Sequence, residues 1–91
     1  MNKTDLIARV AQTTGFTKKD TDTLINSLLS EVTDALRNGE KIALSGFGTF
    51  EVREKSAREG VNPRTGETID IPASRQPVFK PGKTLKDLVA E

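Results

Sequence analysis

Apolar positions recur at helical spacing twice in the first part of the chain, and then the period changes. Leu6, Ile7 and Val10 follow Asn2 and run out at Thr13-Thr14-Gly15, which predicts a short amphipathic helix. Asn2 with Asp5 three residues on resembles a capping box. Thr17-Lys18-Lys19-Asp20 repeats that start signal, with Thr17 as cap. A stripe of Leu24, Ile25, Leu28, Leu29, Val32, Ala35 and Leu36 then predicts a longer helix, stopped by Asn38-Gly39. Beyond it Lys41-Ile42-Ala43-Leu44 reads as a strand and Ser45-Gly46 as a turn. Phe50 and Val52 alternate with polar neighbours, but Arg53 to Glu59 carries no large apolar residue. Such a strand starts on a core and continues without one. Asn62-Pro63-Arg64-Thr65-Gly66 has turn chemistry, with Pro63 suited to the first central position of a type I turn. Thr68-Ile69-Asp70-Ile71 restores the alternation on the way back. A last short helix is expected around Leu85, Leu88 and Val89.

The expected element between these helices is a two-stranded arm over about residues 52–75. At about 3.3 Å per residue, Arg53 to Pro63 spans roughly 30 Å, more than a small domain needs for its own packing. An isolated two-stranded hairpin is marginal in water, so the arm is expected to be mobile until something outside the protein fills its reach. Pro72 and Pro77 each remove a backbone donor, placing the returning strand at a sheet edge or breaking it there.

Composition sharpens the question of the core. The chain has 91 residues, 34% of them hydrophobic and 30% charged, which is ordinary for one globular domain. If the arm adds little, about 70 residues must supply the core, a size at which a single core gives only a few kcal/mol. With no cysteine and no histidine, neither a disulfide nor a transition-metal staple is available. Absence of cysteine also fits a reducing compartment. Dimerisation is the simplest remedy. The stripe on the second helix either covers the first helix and the sheet alone or also meets a second subunit, and the small core favours the latter. Leu29, Val32, Leu36, Leu44, Phe47, Phe50 and Phe79 are the expected dimer core, the phenylalanines as packing rather than base-stacking groups. The amino-terminal residues lack a basic region followed by an apolar run, and no window approaches membrane-spanning length, so a cytoplasmic protein with no membrane partner is expected.

Net charge is +1, too small to announce a polyanion partner, but its distribution is uneven. From Arg75 to Lys86 there are four cations, Arg75, Lys80, Lys83 and Lys86, and no anion. Lys80, Lys83 and Lys86 surround the start of the last helix, whose free N–H groups suit a phosphate. Gly82-Lys83-Thr84 resembles the end of a P-loop, but that motif needs glycine where Pro77 stands. No serine sits in a Gly-x-Ser-x-Gly context, and the carboxylates are scattered among cations. No enzyme is expected, and no cofactor or metal.

The run Gly46-Phe47-Gly48-Thr49-Phe50-Glu51-Val52-Arg53, then Arg58 and Gly60-Val61-Asn62-Pro63-Arg64-Thr65-Gly66, resembles the signature of the bacterial histone-like HU and integration host factor family. Ile71-Pro72-Ala73-Ser74, Phe79-Lys80-Pro81-Gly82-Lys83 and Leu85-Lys86 extend the likeness, as does the opening Met1-Asn2-Lys3-Thr4-Asp5-Leu6-Ile7, so it covers essentially the whole chain. Without extra terminal residues the chain is more similar to HU than to integration host factor. The resemblance implies an α+β fold: two amino-terminal helices, a three-stranded antiparallel sheet with a long protruding β-hairpin arm, and a short carboxy-terminal helix, in an intertwined homodimer. It implies a single domain with a helical dimerisation body at about 1–45, the arm at about 52–75 and the last helix at about 83–90.

What the resemblance further implies is a histone-like architectural protein that binds double-stranded DNA largely without sequence specificity, bends and wraps it through arms in the minor groove, and compacts the bacterial nucleoid. Carried over residue by residue, Arg53, Lys55 and Arg58 line the arm, Pro63 is the wedge at its tip, and Asn62 and Arg64 flank it. Lys80, Lys83 and Lys86 match phosphate contacts of the body, Lys3 and Lys18 match outer contacts, and Arg75 is a weaker match at the arm base. Proline is rigid, apolar and without a donor to satisfy, which suits insertion between base pairs; without the family it is a turn-former. Bent, nicked or junction DNA is the expected target, and RNA binding stays open. So do two other functions: strand addition to a protein partner through the arm, and sequence-selective bending as by integration host factor. Two departures matter: Val61 stands where many relatives carry arginine, and Glu59 adds an anion, so a less basic arm with weaker or more salt-sensitive binding is expected. Glu54, Glu67 and Asp70 push the same way.

Overall fold

The structure, a computed structural model, describes all residues from Met1 to Glu91. Its elements run α1 (Lys3–Thr14), α2 (Lys18–Arg37), β1 (Ile42–Leu44), β2 (Gly48–Lys55), β3 (Arg58–Val61), β4 (Thr68–Ile71), β5 (Ser74–Pro81) and α3 (Lys83–Ala90). The chain divides into two compact units, Met1–Ala35 and Leu36–Glu91.

In the first unit both helix starts follow from the local chemistry. The Asp5 N–H donates to Asn2 Oδ1 at 2.9 Å and the Asn2 N–H donates to Asp5 Oδ2 at 3.3 Å, a complete capping box. Asp20 N–H donates to Thr17 Oγ1 at 3.1 Å at the head of α2. Gly15, at φ 78°, closes α1 with its N–H on the Ala11 carbonyl. Ile7, Ala11 and Thr21 are buried, and the Thr21 hydroxyl donates to the Thr17 carbonyl, so no polar atom there is left unmatched. Leu24 and Leu28 stay 57% and 60% exposed.

The second unit is built on a three-stranded antiparallel sheet in the order β1-β2-β5, with β3 and β4 as a separate two-stranded sheet. Phe47 N–H donates to the Leu44 carbonyl in the tight β1–β2 connection, which sets Ile42 opposite Phe50. Gly48 is demanded by close approach: a Cβ there would stand 2.6 Å from both the Lys80 carbonyl oxygen and the Phe79 ring. That absence of a side chain lets Phe79 pack against Phe50 and Phe47, at centroid distances of 4.7 and 5.4 Å. Pro77 lies on β5, an edge strand, where its missing donor is harmless.

β2 has no neighbour but β5 once β1 ends opposite Phe50, so a two-stranded ribbon begins at the Glu51–Val78 pair. Pairing is interrupted between Lys55 and Arg58 on one strand and between Ile71 and Ser74 on the other. The gap has equal length on both strands, and Arg58↔Ile71 resumes the register that Lys55↔Ser74 left. No bulge is present; the second donor-free residue, Pro72, falls in the gap. The tip departs from a simple type I turn. Gly66 N–H, not that of Thr65, donates to the Asn62 carbonyl at 2.7 Å, and Asn62 N–H donates to Glu67 O, leaving Pro63 to Gly66 as the loop. Gly66 at φ 73° takes the left-handed position that reverses the chain.

Candidate nucleic-acid interface

Residues paired across an antiparallel ribbon point to the same side, and successive residues alternate. Along β2 and β5 this sorts most side chains into two chemistries, with Val78, opposite Glu51, the apolar residue on the charged face. Phe50, Val52, Phe79 and Pro77 share one face; Glu51, Arg53, Lys55 and Lys80 share the other. The apolar face ends at the Glu54–Arg75 pair, and the polar one runs from the sheet toward the tip.

On the polar face Glu51 gathers two lysines. Its carboxylate oxygens lie 2.6 Å from Lys80 Nζ and 3.8 Å from Lys41 Nζ. The hydrogen bond from the Lys80 ammonium holds the Glu51 carboxyl below its ordinary pKa, desolvation opposes the shift, and the charges of Lys80, Lys41 and Arg53 reinforce it. Lys41 had no place among the candidate residues of the sequence. The signal lay in register: the tight β1–β2 connection sets Ile42 against Phe50 and so carries Lys41 to the level of Glu51.

Lys80 is therefore held at the sheet by Glu51 and is not a free member of a ring around the start of α3. Lys83 and Lys86 make no ion pair; they lie one turn apart on α3, whose cap Gly82 has no side chain to occupy the first-turn N–H groups. Lys3 and Lys18 are the first residues of α1 and α2, both exposed.

At the tip, Asn62 organises the loop rather than reaching outward: its Oδ1 accepts the Arg64 N–H at 2.9 Å, and the residue is half-buried. Pro63 and Arg64 are exposed. Arg58 shares a face with Ile71 on the outer hairpin, while Glu59 and Asp70 oppose each other on its other face. Arg75 is set apart from all these cations, because its guanidinium is engaged by Glu54, with Nε 3.3 Å from Oε1, and by the Arg37 carbonyl.

The family model described as bacterial DNA-binding protein matches residues 1–90. This chain belongs to that family. It is 59% identical over 90 residues to DNA-binding protein HU 1 of Bacillus subtilis, covering 99% of this chain and 98% of that one. To DNA-binding protein HU of Geobacillus stearothermophilus it is 56% identical, over 98% of this chain and 99% of the relative. Among solved structures, an HU from Anabaena crystallised with DNA superposes with a TM-score of 0.85 at 44% identity, over 99% of this chain and 98% of that one. The α+β family fold expected from the motifs is the one observed, with its helices and strands in the expected order.

Proposed function

We propose that this chain is a histone-like architectural protein that binds double-stranded DNA largely without sequence specificity, bends it through its β-arms and helps to compact the bacterial nucleoid. One observation carries this reading: an exposed proline at the end of a two-stranded ribbon whose root bears Arg53, Lys55, Lys80 and Lys41 on one face. A cationic face tracks phosphates, whose contacts position a protein without reading sequence. A rigid apolar tip unstacks a base step and kinks the duplex. Further out the arm adds Arg58 and, at its tip, the exposed Arg64, and Lys3, Lys18, Lys83 and Lys86 supply phosphate contacts on the body. No recognition helix offers base-edge readout, so deformability of the DNA, as at a nick or junction, sets preference. Binding of this kind requires no catalytic group, and the protein is proposed to be no enzyme. No helix is long and apolar enough to cross a membrane.

The binding form is proposed to be a homodimer. In a single chain Ile7 and Ala11 are the buried apolar side chains, while Leu29, Leu44, Phe47 and Phe79 remain exposed and Val32, Leu36 and Phe50 only half-buried. A second copy would cover these side chains, since large apolar groups left open on a unit mark an interaction face.

Titration of a labelled duplex at several salt concentrations tests the reading. Log affinity should fall linearly with log salt, by about 0.9 per phosphate neutralised, with nicked and four-way-junction DNA preferred over linear. Binding indifferent to salt and to DNA would instead mark a strand-addition module for a protein partner.

A further inference from the structure

Arg75 differs from every other cation of the ribbon in having two partners at once. Its Nε lies 3.3 Å from Glu54 Oε1, directly across the strand pair, and its Nη1 donates to the carbonyl of Arg37, the last residue of α2, at 3.4 Å. A Cβ added at Gly39 would lie 3.8 Å from Nη2, so the guanidinium rests over the turn that follows the helix. The Arg37 carbonyl stands at the negative pole of the helix dipole, where a cation is favoured. The Glu54–Arg75 pair is also the second to last before strand pairing lapses at Lys55↔Ser74.

We propose, resting on the DNA-binding reading above, that Arg75 is a positioning residue rather than a phosphate contact: with Glu54 it clamps the root of the arm to the backbone at Arg37 and so fixes the direction in which the arm leaves the sheet. The planar guanidinium suits this role because it presents several donors in a fixed fork, reaching a carboxylate and a carbonyl together. A lysine ammonium at the same position keeps the charge and loses that span. Glu54 lies on the face of Phe50 and Val52, away from Arg53 and Lys55, so the pair forms without drawing on the cationic face.

Three substitutions separate a clamp from a contact. For a phosphate contact, Arg75→Lys is close to neutral, Arg75→Gln flattens the salt dependence by about 0.9 per site lost, and Glu54→Gln, which frees the guanidinium and removes an anion, tightens binding. For a clamp, all three act alike: affinity for nicked DNA falls about two- to fivefold, the range of an exposed ion pair, the salt slope stays where it was, and fluorescence transfer between duplex ends reports a smaller or broader bend. The double substitution Glu54→Gln with Arg75→Gln is then no worse than either alone. Amide hydrogen exchange without DNA supplies the separate readout: the clamp predicts faster exchange at the outer ends of β2 and β5 in each variant, with helix content unchanged. Tighter binding by Glu54→Gln, or exchange at the strand ends equal to that of the unsubstituted protein, overturns the assignment. If the unsubstituted protein shows no salt-dependent DNA binding, the function proposed above fails, while the exchange measurement still decides the clamp.

Discussion

Glu59 and Asp70 stand directly opposite each other across the outer hairpin, and neither carboxylate has an ion-pair partner. Like charges at opposed positions weaken a strand pair, whereas opposite charges contribute about 0.2–1 kcal/mol. Glu59→Lys therefore replaces a repulsion by an attraction and adds a cation to the arm. It should bind DNA more tightly than the unsubstituted protein, with a salt slope steeper by about 0.9 for each phosphate it reaches, and Glu59→Gln should fall between the two. Fluorescence anisotropy at several salt concentrations measures both quantities. Unchanged affinity and slope in Glu59→Lys would place the outer hairpin off the duplex.

Pro63→Ala separates shape from attraction. The loop keeps its closing bond from Gly66 N–H to the Asn62 carbonyl, and the cations at its root are untouched, so affinity should change little. Bending should fall markedly, because alanine lacks the rigid ring that holds a base step open. Energy transfer between dyes at the two duplex ends would show it, and an undiminished bend in the variant would remove the wedge from the mechanism.

Half-exposed rings predict coupling between folding and association. Phe79 packs on Phe50 and Phe47 yet remains 38% exposed in one chain. Melting temperature should fall on dilution over about two decades of concentration, as linkage requires. Phe79→Ala should lose about 3–5 kcal/mol and shift the dimer toward separated, unfolded chains. Calorimetry with sedimentation follows both; a melting temperature independent of concentration would mean that the monomer is sufficient.

Glu51 sets a direction for acid sensitivity. Lys80, by its hydrogen bond, lowers the carboxyl pKa in the folded state from its ordinary 4.5, so the folded protein binds this proton more weakly than the unfolded chain does. Its stabilisation is complete above that ordinary value and is lost as pH falls through the lowered one. The difference in melting temperature between the unsubstituted protein and Glu51→Gln should be steady near neutrality and shrink as the medium is acidified. A difference that grows toward low pH would contradict the Lys80–Glu51 bond.

The helices and the hairpin were legible because their signals are local. Asn2 with Asp5, Thr17 with Asp20, and Pro63 with Gly66 act within a few residues of one another, and each does in the structure what its chemistry predicts, apart from one extra loop residue at the tip. The likeness in Gly46 to Arg53 and Gly60 to Gly66 carried the family. What escaped was decided by strand register, which no single residue encodes. Lys41 reaches Glu51 only because of the length of the β1–β2 connection, and Arg75 meets Glu54 only because the two strands pair without a bulge. Lys80, expected beside Lys83 and Lys86, is drawn to Glu51 on a neighbouring strand. Charge at a position was readable; its partner was not.

That unbroken register also limits how the arm can change. Because the gap between the two sheets takes the same number of residues from each strand, an insertion in one leg alone would set the legs out of step and force a bulge, whereas one residue added to each leg would keep the pairing but turn the outer hairpin over, exchanging Arg58 and Ile71 for Glu59 and Asp70 on a given side. Growth that keeps each face has to come in matched steps, two residues per leg and roughly 6.6 Å at a time. The distance from proline to sheet is therefore a graduated scale, and a chain of this kind can be lengthened or shortened by whole notches without disturbing what lies beneath.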